Sequence, residues 1–408
     1  MPKIEIRIED NRMKKITLIP VLYINGINAA FSRGEQTAGE TGALAEAYYN
    51  NGADGLLLIE TATDDAGHDK SIGEMKEIVR HTELPLYTAG NLHRLEDVKK
   101  YTYTGAKKVF VNADDPEEMK LLQEATDRFG TDKVEAAFYE GRLVELGTDF
   151  DENMTALELY LDMARQDEGE EVRVYVTADV DTDFYAYKYA LKESGYPTVT
   201  YESAVGWSEF KLNSDGMVPV IVQDYRTNEV LMLAYMNEAA FEETIRGGKM
   251  CYYSRSRQER WLKGETSGHY QYVKSLYLDC DNDTILAKVA QVGAACHTGA
   301  RSCFFQTLLE KEGQTANPHK VFEDVYQVIA DRKVHPKEGS YTNYLFDKGI
   351  DKILKKCGEE ATEIVIAAKN PDPEEIKYEI SDFLYHVMVL MVERGVTWED
   401  ITTELANR

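Results

Sequence analysis

Carboxylates and thiols are concentrated in one short stretch of the chain, LDCDNDTILAKVAQVGAACHTGARSCFF, residues 278–305. Asp279, Asp281 and Asp283 occupy alternate positions, and Cys280 lies between the first two. On a β-strand this spacing places the aspartates on one face and the cysteine on the other. Carboxylates bind hard cations such as Mg²⁺, whereas thiolates bind softer ones such as Zn²⁺. The spacing therefore predicts a strand that serves two metal ions. The competing interpretation is a polar strand edge beside buried cysteines, which pack as small hydrophobic residues.

Cys296 and Cys303 follow in the same stretch, which therefore holds three of the five cysteines of the chain. Three protein ligands and one open position are typical of catalytic zinc, which lowers the pKa of a bound water to about 7. His297, next to Cys296, and His269, further upstream, are candidates for proton transfer. For His269 a structural role in a loop stays open as an alternative.

A second acidic pattern lies near the end of the chain. Glu360 and Glu363 are three residues apart, and Glu379 and Asp382 repeat that spacing. Residues three apart share one face of a helix, so two antiparallel helices would bring the four carboxylates together. Such a cluster is favourable only around a cation, which predicts Mg²⁺ at this position. For either pair alone, a solvated acidic helix face is the competing interpretation.

The pattern of the whole chain predicts three domains, because 408 residues exceed the size of one ordinary core. Residues 16–115 alternate apolar strands with amphipathic helical segments, as in βα units on a parallel sheet. The middle of the chain is predicted to be mixed and rich in β-strands, and its end consists of amphipathic helices. We predict an α/β domain over 1–205, an α+β domain over 206–318 and an all-α bundle over 319–408.

Composition narrows the classes of partner. The formal net charge of −26 argues against a nucleic-acid-binding protein, which needs clustered basic residues. The sequence has no apolar run of about 18 residues to cross a membrane, and its start lacks the apolar segment of a secretory signal. Five cysteines without a disulfide framework fit a reducing compartment. We therefore expect a cytoplasmic protein that acts on small molecules, and bound cations can offset its acidity where an anionic substrate binds.

The middle domain resembles phosphoribosyl-AMP cyclohydrolase over most of its length. The resemblance rests on LAYMN, YYSRSR, RWLKGETSGHYQ and the stretch 278–305. It implies that zinc-bound hydroxide opens the purine ring of phosphoribosyl-AMP between N1 and C6. It also implies a homodimer with shared zinc sites, in which one subunit supplies the first ligand and its partner the other two. The implied ligands are Cys280, Cys296 and Cys303 for Zn²⁺, and Asp279, Asp281 and Asp283 for Mg²⁺.

Two arginines in the same domain are candidates for binding substrate phosphate. Arg255 and Arg257 alternate in CYYSRSR, which we predict to be a strand, so both guanidinium groups would share one face. Each guanidinium offers a fork of donors that matches phosphate oxygens. Exposed arginines on a strand are also common without such a role.

The last domain resembles phosphoribosyl-ATP pyrophosphohydrolase, on GSYTNYLFDKGIDKILKKCGEEATEIVIAAKN and the helix after it. The resemblance implies that a carboxylate-held water attacks between the α and β phosphates. The implied Mg²⁺ ligands are Glu359, Glu360, Glu363, Glu379 and Asp382. Lys352 and Lys355 are candidates for phosphate, although Lys355 can instead pair with Glu359 at i,i+4. We predict that residues 337–349, KEGSYTNYLFDKG, form a loop.

The first domain resembles the (β/α)8 isomerase and cyclase barrels of histidine biosynthesis. The matching segments are IPVLYINGI, GADGLLLIE, LPLYTAGNLHRLEDV and GAKKVFVNADDPE, which cover four to five βα units rather than eight. Tyr23 stands where those families carry an acidic residue, and Ala89-Gly90-Asn91 replaces their Gly-Gly phosphate turn. We therefore expect a partial barrel that is a non-catalytic scaffold or interaction surface. An intact isomerase site is the alternative.

Together the resemblances predict a bifunctional hydrolase of histidine biosynthesis that acts on phosphoribosyl nucleotides. Its last domain would release diphosphate from phosphoribosyl-ATP, and its middle domain would open the ring of the resulting phosphoribosyl-AMP. The alternative is a general nucleoside triphosphate pyrophosphatase with a structural zinc domain and a barrel that recruits other enzymes.

Overall fold

The computed structural model describes residues 15–33, 37–137, 143–147, 149–164, 171–309, 320–371 and 373–406. The chain divides into two compact units, Met1–Gln306 and Thr307–Arg408. The predicted domains 1–205 and 206–318 thus meet within the first unit, and the boundary between them stays a prediction. Within the described ranges, no helix is both long and apolar enough to span a membrane.

The first half of the first unit is built on parallel strands with helices between them. Seven strands run parallel in the order β8-β9-β1-β4-β5-β6-β7, and the short β2 and β3 extend the sheet from β1 in antiparallel fashion. The strands are β1 (Lys15–Asn25), β2 (Asn28–Ala30), β3 (Gly39–Glu40), β4 (Leu56–Glu60), β5 (Leu86–Ala89), β6 (Lys108–Asn112), β7 (Val134–Ala137), β8 (Val144–Leu146) and β9 (Glu171–Ala178). The helices are α1 (Thr41–Asn50), α2 (Asp65–His81), α3 (Leu95–Thr102), α4 (Pro116–Phe129), α5 (Phe150–Ala164) and α6 (Phe184–Glu193).

The sheet curls around its own filled interior. One apolar cluster packs between the strands and the helices, and a second lies on the other face, with Ile19, Phe110 and Tyr175 among its members. Arg173 of β9 forms an ion pair with Glu135 of β7, although these strands lie on opposite sides of β1 in the sheet. Strands so far apart can meet only if the sheet bends toward a barrel. The α/β barrel-like fold is confirmed, and its seven parallel strands exceed the four to five units expected from the sequence.

The second half of the first unit is rich in strands. A sheet of order β11-β10-β15-β14 contains β10 (Val218–Asp224), β11 (Val230–Met236), β14 (Gln271–Leu278) and β15 (Ile285–Gln291). Helix α7 (Glu238–Gly247) and the ribbon of β12 (Cys251–Ser254) and β13 (Glu259–Leu262) complete it. On β10 every second residue is buried, so one face of the sheet packs on the core. The Asn237 side chain caps α7 by accepting the N–H of Ala240, and Gly248 ends the helix at φ +63°.

The second unit is helical, as expected. Its helices are α8 (Val321–Val334), α9 (Tyr341–Lys348), α10 (Ile350–Ala367), α11 (Pro373–Arg394) and α12 (Trp398–Ala406). The prediction of a loop over 337–349 is wrong, because α9 occupies most of it. Ser340 caps α9 by accepting the N–H of Asn343, and Leu345 is buried. The glycines at either end suggest a loop. The serine at the N-cap position, followed by apolar residues at helical spacing, indicates the helix instead.

Candidate metal and substrate sites

The three aspartates lie in a turn rather than on a strand. Strand β14 ends before them, so the prediction that they alternate along a strand is wrong. Asn282 has φ +66°, and the Asp279 carboxylate accepts the backbone N–H groups of Asp283 at 2.9 Å and Thr284 at 3.2 Å. Such local hydrogen bonds compete with strand pairing. The turn nevertheless brings carboxylate oxygens of Asp279, Asp281 and Asp283 within 4.8 Å of one another, all on exposed residues.

The turn also sets the charge of this cluster. Desolvation would raise the pKa of Asp279, but the N–H groups of Asp283 and Thr284 outweigh it and hold the pKa below its ordinary value. Asp279 is therefore ionised at neutral pH. Lys211 Nζ lies 3.4 Å from Asp281 Oδ2 and is exposed, so it screens the cluster only weakly. Clustered exposed carboxylates of this kind suit a hard divalent cation.

Cys296 and Cys303 are brought together by the loop that follows β15. The Cys303 N–H donates to the carbonyl of Leu231 at 2.7 Å, which fixes this loop to the edge strand β11. Thr298 Oγ1 donates to Cys296 Sγ at 3.1 Å, and this bond lowers the pKa of Cys296. Burial, together with a hydrogen bond to Cys296, raises the pKa of Cys303. Of the two thiols, Cys296 is therefore the more acidic.

Cys280 is separate from this pair. It lies exposed in the aspartate turn. In the described ranges, no group of three metal-binding side chains within 4.8 Å unites Cys280 with Cys296 and Cys303. One chain therefore presents two of the three predicted zinc ligands at one place.

His297 lies beside the thiol pair, and His269 lies against the start of the same loop. His297 Nδ1 is 3.9 Å from Cys296 Sγ, and this histidine is exposed. The His269 ring lies against Gly293, where a Cβ atom would come within 2.6 Å of it. Lys263, only 5% exposed, donates to the His269 carbonyl at 3.2 Å. Burial lowers the pKa of Lys263, whereas Cys303 and Cys296 act in the opposite direction. We did not predict Lys263 from the sequence, although it opens the KGETSG segment.

A cavity of about 940 Å³ lies beside β11 and the β12–β13 ribbon. Arg255 lines it, with its guanidinium 3.8 Å from the centroid of the Tyr235 ring. The prediction that Arg255 and Arg257 share a strand face is wrong, because β12 ends at Ser254 and both arginines lie in the turn after it. Arg257 instead forms an ion pair with Glu259 at 3.3 Å. Only Arg255 therefore reaches the cavity.

In the helical unit, Glu360, Glu363 and Glu379 converge, with carboxylate oxygens within 4.8 Å of one another. Glu360 is only 4% exposed, and Lys356 Nζ lies 2.7 Å from its Oε1. Lys356 lowers the pKa of Glu360, whereas the hydrogen bond to Glu360 raises the pKa of Glu363. Protonation is therefore favoured at Glu363 relative to Glu360, and a bound cation would compete with that proton.

The other predicted residues of this site lie outside the cluster. Glu359 pairs with Lys355 at 3.2 Å and Lys356 at 3.1 Å, and these bonds lower its pKa. Asp382 is exposed one turn beyond Glu379. Lys355 therefore makes the i,i+4 pair that was the alternative to phosphate binding, and Lys352 lies 6.0 Å from the Tyr344 ring centroid.

One histidine is built into the helical core beside the cluster. His386 is buried, and its Nδ1 lies 2.8 Å from the carbonyl oxygen of Asp382. A carbonyl only accepts, so Nδ1 carries the proton and Nε2 accepts from the Tyr341 hydroxyl at 3.1 Å. His386 thus has both ring nitrogens satisfied and sits 3.7 Å from Glu360.

The turn after β5 in the barrel is closed by its own side chains. Gly90 has φ +82°, and a Cβ atom there would lie 2.5 Å from the carbonyl oxygen of Glu60. Asn91 has φ +51°, and its amide donates to the buried Glu60 carboxylate at 2.5 Å and to the carbonyl of Ala62 at 2.7 Å. Asn91, which stands where the related barrels have the second glycine of the phosphate turn, therefore uses its side-chain amide in hydrogen bonds within the barrel.

Comparison with known proteins identifies two activities in this chain. Three family profiles match in chain order: Histidine biosynthesis protein over residues 21–183, Phosphoribosyl-AMP cyclohydrolase over 232–305 and Phosphoribosyl-ATP pyrophosphohydrolase over 322–408. The histidine biosynthesis bifunctional protein HisIE of Thermoanaerobacter pseudethanolicus is 54% identical over 209 residues, which make up 97% of that protein and 48% of this chain. The chain belongs to the HisIE family. Two further HisIE proteins are similar to this chain. That of Lactococcus lactis is 51% identical over 88% of its length and 47% of this chain. That of Bacillus subtilis is 48% identical over 95% of its length and 49% of this chain.

Membership of the HisIE family makes the chain a bifunctional enzyme of histidine biosynthesis, with phosphoribosyl-AMP cyclohydrolase and phosphoribosyl-ATP pyrophosphohydrolase activities. The cyclohydrolase match contains the aspartate turn and the thiol pair, and the pyrophosphohydrolase match contains the glutamate cluster. The recognition made from sequence motifs is thereby confirmed. These HisIE relatives cover about half of this chain, whereas the barrel matches a separate histidine biosynthesis profile.

Proposed function

We propose that the cyclohydrolase half binds Zn²⁺ through Cys280, Cys296 and Cys303 and opens the purine ring of phosphoribosyl-AMP between N1 and C6. The observation that carries this proposal is the thiol pair, in which Thr298 favours the thiolate of Cys296. Thiolates are the form in which cysteine binds metal. Bound zinc would supply hydroxide at neutral pH.

We propose further that two chains complete each zinc site. Cys280 is exposed and lies apart from the thiol pair, which supports a ligand that comes from a second copy. The pair lies beside the edge strand β11, and large apolar side chains on the same loop and strand are exposed to solvent. Phe304 and Phe305, directly after Cys303, are 63% and 55% exposed, and Leu233 on β11 is 47% exposed. Apolar side chains along an open strand edge are a typical interface. A twofold dimer would form the same mixed site twice.

The other residues predicted for the cyclohydrolase half have distinct roles in this proposal. Asp279, Asp281 and Asp283 would hold Mg²⁺, which would neutralise the substrate phosphate. Arg255 binds a phosphoribosyl oxygen in the cavity beside it, whose size is within the range of small-molecule sites. His297 is the first candidate for proton transfer, because its Nδ1 lies 3.9 Å from Cys296 Sγ. His269 is the second, and the buried Lys263 holds its backbone.

In the pyrophosphohydrolase half we propose that Glu360, Glu363 and Glu379 bind Mg²⁺ together with the diphosphate-bearing substrate. A bound cation would compete with a proton on Glu363, whose pKa the neighbouring Glu360 raises, and the carboxylates would hold the attacking water. Glu359 and Asp382, on the same two helices, are further ligands in this proposal. Lys352 is the lysine proposed to meet phosphate, because Lys355 pairs with Glu359.

The test of the zinc proposal is a Cys296→Ala variant with a matched cysteine control. Cys357, half-buried in the helical unit, is the control site. Cys296→Ala should lose zinc, measured by elemental analysis, and with it ring opening of phosphoribosyl-AMP. Release of diphosphate from phosphoribosyl-ATP should persist. Cys357→Ala should retain zinc and ring opening. Undiminished ring opening after quantitative zinc removal would refute the assignment.

A further inference from the structure

Four tyrosines of the first 205 residues face the cyclohydrolase domain. Tyr49 lies on α1, Tyr185 and Tyr189 lie on α6, and Tyr201 follows in the connecting segment. The Tyr189 hydroxyl donates to the carbonyl of Ile245 at 3.2 Å, and the Tyr185 and Tyr201 rings stack with centroids 5.2 Å apart. We call these four residues the tyrosine cluster. Aromatic rings with one polar tip suit an interface that is apolar but needs hydrogen bonds.

The two domains approach very closely at Tyr185. Gly248 ends α7 of the cyclohydrolase domain, and a Cβ atom on it would lie 2.6 Å from the Tyr185 ring. A Cβ atom on Gly52 of the barrel would lie at the same distance from that ring. The ring is therefore held between one glycine of each domain, and neither position has room for a side chain. Arg246 of α7 and Glu193 of α6 form an ion pair beside it.

A β-bulge in the cyclohydrolase sheet points at the barrel. The pairing of β14 with β15 shifts register between Val273 and Ser275, which makes Lys274 the extra residue. Lys274 Nζ lies 3.8 Å from the centroid of the Tyr49 ring and 5.3 Å from that of Tyr225. Glu83 accepts the Tyr49 hydroxyl at 2.6 Å and thereby holds the ring in place. The bulge thus directs a half-buried ammonium onto the face of a barrel side chain.

The bulge lies shortly before the aspartate turn. Strand β14 continues from Lys274 only to Leu278, and the turn with Asp279, Asp281 and Asp283 follows. β14 is also an edge strand, so beyond the bulge β15 is the neighbour that fixes its course. A shift of one residue in a strand turns every side chain to the opposite face. Whatever holds the bulge therefore holds the position of the carboxylates.

We propose that the barrel domain positions the cyclohydrolase site, and that the contact between Tyr49 and Lys274 fixes the β14 bulge and thereby the aspartate turn. This inference rests on the proposed role of the three aspartates as Mg²⁺ ligands. It gives the barrel a task that needs no catalytic residue of its own.

The experiment compares full-length variants in both activities. Tyr49→Leu removes the aromatic face but keeps apolar bulk, and Lys274→Met removes the charge but keeps side-chain length. The control is the exposed Tyr103, whose ring centroid lies 6.0 Å from Lys99 Nζ, on the barrel but outside the tyrosine cluster. Both test variants should raise the Mg²⁺ concentration for half-maximal ring opening about tenfold, a size between those of an exposed and a fully desolvated cation–π contact.

Three further results separate positioning from a general loss of stability. Lys274→Arg, which keeps a cation over the ring, should restore the Mg²⁺ response, and diphosphate release should stay at the wild-type rate in every variant. Tyr103→Leu should leave both activities unchanged. An unaltered Mg²⁺ response in Tyr49→Leu and Lys274→Met would overturn the inference.

A metal-independent measurement distinguishes failure of this inference from failure of the proposed Mg²⁺ site. Amide hydrogen exchange over residues 275–284 should be faster in Lys274→Met than in the wild type or Tyr103→Leu. If wild-type ring opening needs no Mg²⁺, the aspartate assignment falls, and faster exchange would still support positioning by the barrel. Unchanged exchange in this segment would overturn it.

Discussion

Two inactive variants of this chain should restore each other when mixed. Cys280→Ala removes the ligand in the aspartate turn, and Cys296→Ala removes one member of the thiol pair. In either homodimer each zinc site would lack one of its three ligands. A mixed dimer would have one site with all three ligands and one site with a single ligand. Random exchange makes half of the dimers mixed, so cyclohydrolase activity should return to about one quarter of the wild-type value per chain.

The assay follows ring opening of phosphoribosyl-AMP after the two variants are unfolded and refolded together. Zinc content should rise in parallel to about one quarter of the wild-type content. Diphosphate release from phosphoribosyl-ATP provides the internal standard, because the glutamate cluster lies in the other compact unit. A mixture of Cys296→Ala and Cys303→Ala is the matched control. In this proposal one subunit supplies both Cys296 and Cys303 to a site. Every site in this mixture would therefore still lack one ligand, and the mixture should stay inactive.

Two results would refute the shared site. One is that mixed dimers form, as native mass measurement with one variant isotopically labelled can show, but ring opening does not return. The other is that Cys280→Ala alone keeps zinc and full turnover.

Three further predictions concern charge and substrate contact. Glu360→Gln should reduce diphosphate release by about a hundredfold or more, whereas Glu359→Gln should reduce it only a fewfold, as steady-state rates can show. Because its neighbour Glu360 raises the pKa of Glu363, Mg²⁺ competes with a proton for Glu363. The Mg²⁺ affinity of this half should therefore rise with pH through that raised pKa and then level off, which titration calorimetry can measure. Arg255→Ala should raise KM for phosphoribosyl-AMP about tenfold, and Arg257→Ala should change it little.

Much of the fold could be predicted from local patterns. Near-continuous apolar runs such as ITLIPVLYI specify buried parallel strands, and alternation in VPVIVQD specifies a strand with one buried face. The caps of α7 were also predictable, because Asn237 can accept the free N–H groups and Gly248 can adopt a left-handed conformation. The barrel beyond its fourth unit was less clear, since β7 and β8 are only four and three residues long.

At the aspartate site the predicted strand is wrong, whereas the predicted clustering of the three carboxylates is found. Alternating aspartates suggest a strand, but Asp279 accepts two backbone N–H groups of its own turn and Asn282 adopts a positive φ. Aspartate and asparagine favour turns for these two reasons. The carboxylates still converge, because a tight turn brings alternate side chains together as well as a strand does. The clustering was thus predictable, and its geometry was not.

Other parts of the sites depend on contacts between residues far apart in the chain. Lys274 meets Tyr49 across two domains, and Arg255 stacks on Tyr235 from a turn that looked like a strand. Nothing in the local sequence specifies such pairs. Lys263, buried near the thiol pair, belongs to the same class. Long-range packing of this kind becomes visible only in three dimensions.

We propose that one chain carries out two consecutive hydrolyses with separate metal requirements. The most direct test supplies phosphoribosyl-ATP and Mg²⁺ to the zinc-stripped and the zinc-restored protein and follows both products. Both preparations should release diphosphate, and only the zinc-restored protein should form the ring-opened product. Equal amounts of ring-opened product from the zinc-stripped protein would contradict it.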